Sequence, residues 1–211
     1  KNEVVDFKIN SKSGEIITWF FKGKEITKQA IRPNFWRPPT DNDLGNVMHI
    51  WAKVWQDASY NYKATLIKKP FKNTSETSFT VSYKLPNNEA LLTVVYLLNN
   101  NGSLKVDYSF IPNQKDLANI PRIGMFLTLP NSYTDVEWYG KGPKESYWDR
   151  KTGQKTGVYS GKIIDQFHRY SRPQETGNKT EVRWMEVSSE NIKLKVSSSE
   201  YLNASVWPFP M

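Results

Sequence analysis

Two stretches of this chain alternate apolar and polar residues with a period of two. Phe79, Val81, Tyr83 and Leu85 share one phase, and Leu104, Val106, Tyr108 and Phe110 share another. Successive side chains of a strand point to opposite faces, so each run is a strand with one buried and one solvated face, as antiparallel sheets allow. The segments between candidate strands carry turn chemistry. Lys12-Ser-Gly14, Pro86-Asn-Asn-Glu89 and Asn99-Asn-Asn-Gly102 place residues that tolerate positive φ, or that close side-chain turns, where hairpins need them. Further strands are expected over 123–129, 136–139, 156–159, 182–187 and 192–196. Many strands at short spacing predict an all-β antiparallel sandwich.

One helix is expected. Val47, Ile50, Trp51, Val54 and Ala58 fall at helical spacing, with Asn46 as the N-cap. No repeat, low-complexity tract or Gly/Ser linker interrupts the chain, so residues 1–211 are expected to form a single domain.

Composition narrows the chemistry. The chain has no cysteine and only two histidines, His49 and His168, which excludes thiolate catalysis and cysteine zinc sites and leaves no histidine cluster for a transition metal. The absence of a long apolar run excludes a membrane-spanning helix. The net charge of +8 raises the possibility of a nucleic-acid partner. The lysines, however, stand mostly singly, Lys68-Lys69 aside, which reads as a solvated basic surface on part of a larger enzyme and not as a nucleic-acid footprint.

The segment Asn34-Phe-Trp-Arg-Pro-Pro-Thr-Asp-Asn-Asp-Leu-Gly45 is dense in turn formers. Pro38 and Pro39 fix φ, Asp41, Asn42 and Asp43 can close side-chain turns, and Gly45 can take a positive φ. Downstream come Pro121-Arg-Ile-Gly124, then Val136-Glu-Trp-Tyr-Gly-Lys-Gly-Pro-Lys-Glu-Ser-Tyr-Trp-Asp-Arg150, then Tyr170-Ser-Arg-Pro-Gln-Glu-Thr-Gly-Asn178, then Arg183-Trp184. In this order, these motifs resemble the C-terminal, small-chain region (the fifth domain) of LacZ-type β-galactosidases of glycoside hydrolase family 2. Ser146, where the family usually has Asn, and Arg172 with Gln174 depart from its pattern.

The resemblance implies an antiparallel β-supersandwich of the galactose-mutarotase-like type, with one short helix, excised from a multidomain bacterial glycosidase that hydrolyses terminal β-D-galactosides with retention. In that family the two catalytic glutamates belong to a separate (β/α)8 barrel, the domain's partner, so no catalytic residue is expected here and the isolated chain is expected to be inactive. The family's Mg²⁺ and Na⁺ sites lie chiefly on other domains, so no cofactor or metal ligand is expected in this chain. The resemblance places Asp41, Asn42, Asp43, Gly45 and Asn46 in a substrate-proximal loop. It also implies truncation at the C-terminus, because the family's sugar-stacking tryptophan lies in a Gly-Gly-Asp-x-Ser-Trp segment that this chain does not reach. Trp207 is not that residue.

The acidic residues read as structural. Asp41 and Asp43 suit turn capping, and Arg150 is a partner for Glu145 or Asp149. Among the tryptophans, Trp19, Trp138 and Trp184 sit in strand patterns and Trp51 in the helix, which points to packing. Trp36, Trp55 and Trp148 are the candidates for exposure and for stacking on a carbohydrate. Two other functions stay open. One is a stand-alone carbohydrate-binding module acting through those tryptophans. The other is an aldose 1-epimerase, for which His168 and Glu175 would be the acid and the base.

Overall fold

The computed structural model describes residues 4–73 and 75–210. It is all-β and antiparallel. The strands are β1 (Val5–Ile9), β2 (Ile16–Phe21), β3 (Lys24–Glu25), β4 (Arg32–Asn34), β5 (Lys63–Lys72), β6 (Glu76–Lys84), β7 (Ala90–Asn99), β8 (Leu104–Pro112), β9 (Gly124–Phe126), β10 (Asp135–Gly142), β11 (Lys155–Lys162), β12 (Lys179–Ser188) and β13 (Lys193–Ala204). Three short helices, α1 (Asp41–Gly45), α2 (Met48–Trp51) and α3 (Lys53–Tyr60), separate β4 from β5. The chain divides into two compact units. The first is Lys1–Arg37 with Asp43–Pro130, and the second is Pro38–Asn42 with Asn131–Met211.

The first unit is built on the four-stranded meander β5-β6-β7-β8 and the three-stranded sheet β1-β2-β3, with β4 paired to β9. The alternation read from the sequence becomes one buried face. Phe79, Val81 and Tyr83 lie opposite Tyr96, Val94 and Leu92, and all six are buried. The three-stranded sheet covers this face. The Phe7 ring centre lies 6.0 Å from that of Phe79, and Phe79 stacks on Tyr96 at 4.9 Å. Two glycines permit the approach: at Gly14 (φ 76) a Cβ would stand 2.6 Å from Val81 Cγ2, and at Gly102 (φ 95) it would stand 2.6 Å from the Phe21 ring. No larger residue fits either place. Beyond the sheets, Trp55 of α3 packs on Phe35 and Phe110, and its indole N–H donates to the Ala118 carbonyl at 2.9 Å.

The second unit is the sheet β11-β10-β12-β13 with its connecting segments. Val136, Trp138 and Gly140 alternate with Glu137, Tyr139 and Lys141, so β10 has a buried and an outer face. Register shifts in the β12–β13 pairing between Lys179 and Val182, and again between Val182 and Trp184, mark bulges. A bulge places an extra residue in one strand and re-aims its side chains.

The helix expected over 47–58 is divided. Val47 has φ 54, a left-handed conformation, and Ala52 breaks the run between α2 and α3. Asn46 is therefore not the N-cap of one long helix. Its carbonyl and its side-chain oxygen instead accept the Trp51 indole N–H at 3.0 and 2.7 Å. Gly45 lies within α1, and the positive φ expected there is found at Val47. Trp51, expected to pack, is exposed. The strand expected over 123–129 shortens to β9, and the one expected over 192–196 extends through β13 to Ala204.

Candidate functional site

The turn-rich motif is pinned at both carboxylates. Arg37 donates to Asp43 through two nitrogens, at 2.5 and 3.0 Å, a bidentate pair with both side chains largely buried. The planar guanidinium suits this geometry where lysine would not. In the second unit the Gln174 amide donates to Asp41 at 3.0 Å, the Asp41 backbone N–H donates back to Gln174 Oε1 at 3.3 Å, and Arg172 stands 3.7 Å away. Asn42, Gly45 and Asn46 are exposed. Over Asp41–Gly45 the motif folds as a helical turn.

The densest polar cluster of the second unit centres on Glu145. One carboxylate oxygen accepts the Tyr170 hydroxyl and the Arg150 guanidinium. The other accepts the Gly177 N–H at 2.7 Å and the Thr176 hydroxyl at 3.3 Å. Arg150 also reaches the Tyr170 hydroxyl at 2.8 Å and lies 4.7 Å from the centre of the Tyr147 ring. Burial works to raise the Glu145 pKa, but the donors Tyr170, Gly177 and Arg150 outweigh it and hold the carboxyl below its ordinary value. The expected Glu145–Arg150 pair is thus present, and Arg150 selects Glu145 over Asp149. Gly177 (φ 73) has no room for a side chain, because a Cβ would meet the Gln166 carbonyl at 2.6 Å.

Behind this cluster Ser146, Asn178 and Thr180 form a buried network. The Asn178 amide donates to the Ser146 carbonyl at 2.8 Å, the Ser146 N–H donates to the Asn178 carbonyl at 2.8 Å, and the Ser146 and Thr180 hydroxyls lie 2.8 Å apart. Lys179 is buried over the Trp138 ring, 4.5 Å from its centre, and burial lowers its pKa to about 8.

The tryptophan expectations divide. Trp36 and Trp55 are buried, so neither presents a ring to a sugar. Trp55 meets Phe35, Phe110 and the Ala118 carbonyl, partners distant in sequence. Trp148 is 68% exposed, with the Lys151 ammonium 3.9 Å from its ring centre. Trp19 and Trp138 are buried as expected, and Trp184 is half-buried. Glu175 is buried at 1% exposure while His168 is exposed with its ring edge against Tyr170, so the two do not face one ligand. Among the described residues no group of three or more His, Cys, Asp or Glu is placed to hold a metal ion. Sequence reading missed Tyr170 as a partner of Glu145, because the two are separated by 25 positions. It also missed the strained Glu181 (φ 53), which a regular strand pattern conceals.

These features define an antiparallel β domain with a fixed carboxylate clamp and an aromatic outer surface. Over residues 1–211 the chain matches the family model of the β-galactosidase small chain, and it belongs to that family. It is similar to β-galactosidases of Priestia megaterium (36% identical over 181 residues, 86% of this chain and 17% of the relative) and Lactobacillus delbrueckii subsp. bulgaricus (34% over 193 residues, 90% and 19%). A β-galactosidase of Kluyveromyces lactis is 31% identical over 200 residues, 89% of this chain and 19% of the relative. The chain therefore spans less than a fifth of the length of the curated relatives it matches.

Proposed function

We propose that this chain is the C-terminal accessory domain of a retaining, LacZ-type β-galactosidase of glycoside hydrolase family 2, which packs on a catalytic barrel and helps to complete its active site. The observation that carries the reading is the family match over the whole of residues 1–211. Retaining hydrolysis needs two carboxylates about 5–5.5 Å apart. The best-placed acid here, Glu145, is instead engaged by Tyr170, Arg150, Gly177 and Thr176. A carboxylate held in that way is a structural anion, not a nucleophile or a proton donor. On this reading the catalytic glutamates and the metal ions are supplied by the rest of the parent, and the domain's share is the Asp41–Asn46 turn, stiffened by the Arg37–Asp43 pair.

Complementation tests it. Residues 1–211 and the remainder of the parent are expressed separately, and hydrolysis of a nitrophenyl β-galactoside is measured for each part and for the mixture. Activity is expected only in the mixture. Hydrolysis by the chain alone, or full activity of the remainder without it, would overturn the reading.

The exposure of Trp148 supports a second reading, in which the domain also binds carbohydrate. Isothermal calorimetry with galactose and lactose at millimolar concentration tests it, and an absence of heat counts against it.

A further inference from the structure

Glu181 lies where the β12–β13 register shifts. It is a non-glycine residue at φ 53, and such a conformation persists only where the surroundings over-determine it. Here they do. Its carboxylate accepts Lys151 at 2.8 Å and stands 3.8 Å from Lys141, while its carbonyl accepts Arg183 at 3.0 Å. The hydrogen bond from Lys151 contributes most to holding its carboxyl below the ordinary range, and the charges of Lys151, Lys141 and Arg183 add to it.

From Glu181 a continuous chain of contacts runs both ways over the second unit's sheet. On one side Lys151 leads to Trp148. On the other, the Arg183 guanidinium lies 4.7 Å from the Tyr139 ring centre and 4.5 Å from that of Tyr201. Tyr139 stands opposite Trp184 on β12 and opposite Val158 on β11. The Lys195 ammonium lies 4.2 Å from the Trp184 ring centre. Tyr201 is 61% exposed. Along the same face, Glu137 and Glu186 lie opposite one another and help to line a shallow groove of about 540 Å³ together with Ser160 and Ser188.

We infer that this strip binds a neutral, galactose-containing oligosaccharide, with Trp148 and Tyr201 as its exposed stacking rings and the intervening charged groups as hydrogen-bonding partners for hydroxyls. A sugar presents a patch of C–H groups beside a rim of hydroxyls, and an aromatic face next to fixed polar groups matches both. The strip mixes both signs of charge, with Lys141 and Lys151 against Glu181, Lys193 against Glu186, and Glu137 beside them, which suits a ligand of many hydroxyls and no net charge. The carboxylates beside the rings disfavour a protein partner, because charged groups are depleted from the centres of protein interfaces. Galactose as the sugar rests on the β-galactosidase reading above, whereas the strip itself does not.

The test is native affinity electrophoresis of the full-length parent protein in gels containing soluble β-1,4-galactan, with mannan and dextran gels as controls. Galactan is expected to retard the protein, and Trp148→Ala and Tyr201→Ala are each expected to weaken its apparent affinity about fivefold. Both side chains are mainly exposed, and saccharide-dependent quenching of the wild-type tryptophan fluorescence gives a readout that needs no variant. Absence of both retardation and quenching in the wild type would overturn the proposal. So would retention unchanged in both variants, or a fall in assembly mass by light scattering on either substitution, which would mark the strip as a protein interface. Hydrolysis without retention sinks the strip alone, and retention without hydrolysis sinks the parent reading alone.

Discussion

The Tyr170 hydroxyl donates to the Glu145 carboxylate and so fastens the 167–178 segment to the one that follows β10. Removing the donor leaves a half-buried carboxylate short of one partner, so Tyr170→Phe is expected to destabilise the protein by about 1–3 kcal/mol, read from urea unfolding. The pH dependence has a definite sign. The folded-state pKa of Glu145 lies below its ordinary value of 4.5, so its contribution is complete above that value and is lost as pH falls through the lowered one. The stability difference between wild type and Glu145→Gln should therefore shrink in acid. A difference that grows in acid would contradict the assignment.

Lys179 shifts with the same sign but for the opposite reason, because burial disfavours its charged form. Burial lowers its pKa from 10.5 to about 8, so between those values the unfolded chain holds the proton that the folded one has released. Stability contributed at this site therefore rises as pH climbs through that window. Below it, the buried ammonium is a cost only partly offset by the Trp138 ring and the Pro143 carbonyl. Lys179→Met is expected to be neutral or stabilising at pH 7 and to abolish that rise. Thermal melts of both proteins from pH 7 to 10 check it.

Much of the fold was legible in the sequence, for local reasons. Period-two alternation placed Phe79, Val81 and Tyr83 on one buried face, and the turn residues at Lys12-Ser-Gly14, Pro86-Asn-Asn-Glu89 and Asn99-Asn-Asn-Gly102 sit where positive φ is found, at Gly14, Asn88 and Gly102. What failed depends on distance along the chain. Trp55 is buried because Phe110 and the Ala118 carbonyl meet it across the fold, and no local pattern announces such partners. The long helix, by contrast, is broken locally: its apolar spacing is intact, but its backbone is left-handed at Val47 and interrupted at Ala52. Of the site, Glu145 and Arg150 could be paired from their spacing, whereas Tyr170 and Gly177 could not.

Val47 carries a strain that can be relieved. It is β-branched, has φ 54 and is 47% exposed, so little packing is at stake. Val47→Gly is expected to stabilise the fold by up to about 1 kcal/mol, the relief of the left-handed conformation outweighing the added freedom of the unfolded chain. A loss of more than that in thermal melts would mean that the side chain packs in a way its exposure conceals.

The Arg37–Asp43 pair should show coupling. In a double-mutant cycle with Arg37→Ala and Asp43→Ala, an interaction energy of about 1–3 kcal/mol is expected for a bidentate, partly buried pair. Arg37→Lys should recover only part of it. Additive single-mutant effects would show that the two side chains act independently.

The pairing of β4 with β9 joins Arg32 to Phe126 and Asn34 to Gly124, whereas β5-β6-β7-β8 pairs only neighbours in sequence. Closing a long loop costs chain entropy that a hairpin does not incur, and non-local pairings of this kind slow folding. The meander therefore offers the early scaffold. The β4–β9 ladder, only three residue pairs long, is the late and reversible step by which Asn34, Phe35 and Trp36 are drawn into place. In a hydrogen-exchange experiment the amides of β7 would be the last to exchange, and those of β4 would open well before global unfolding.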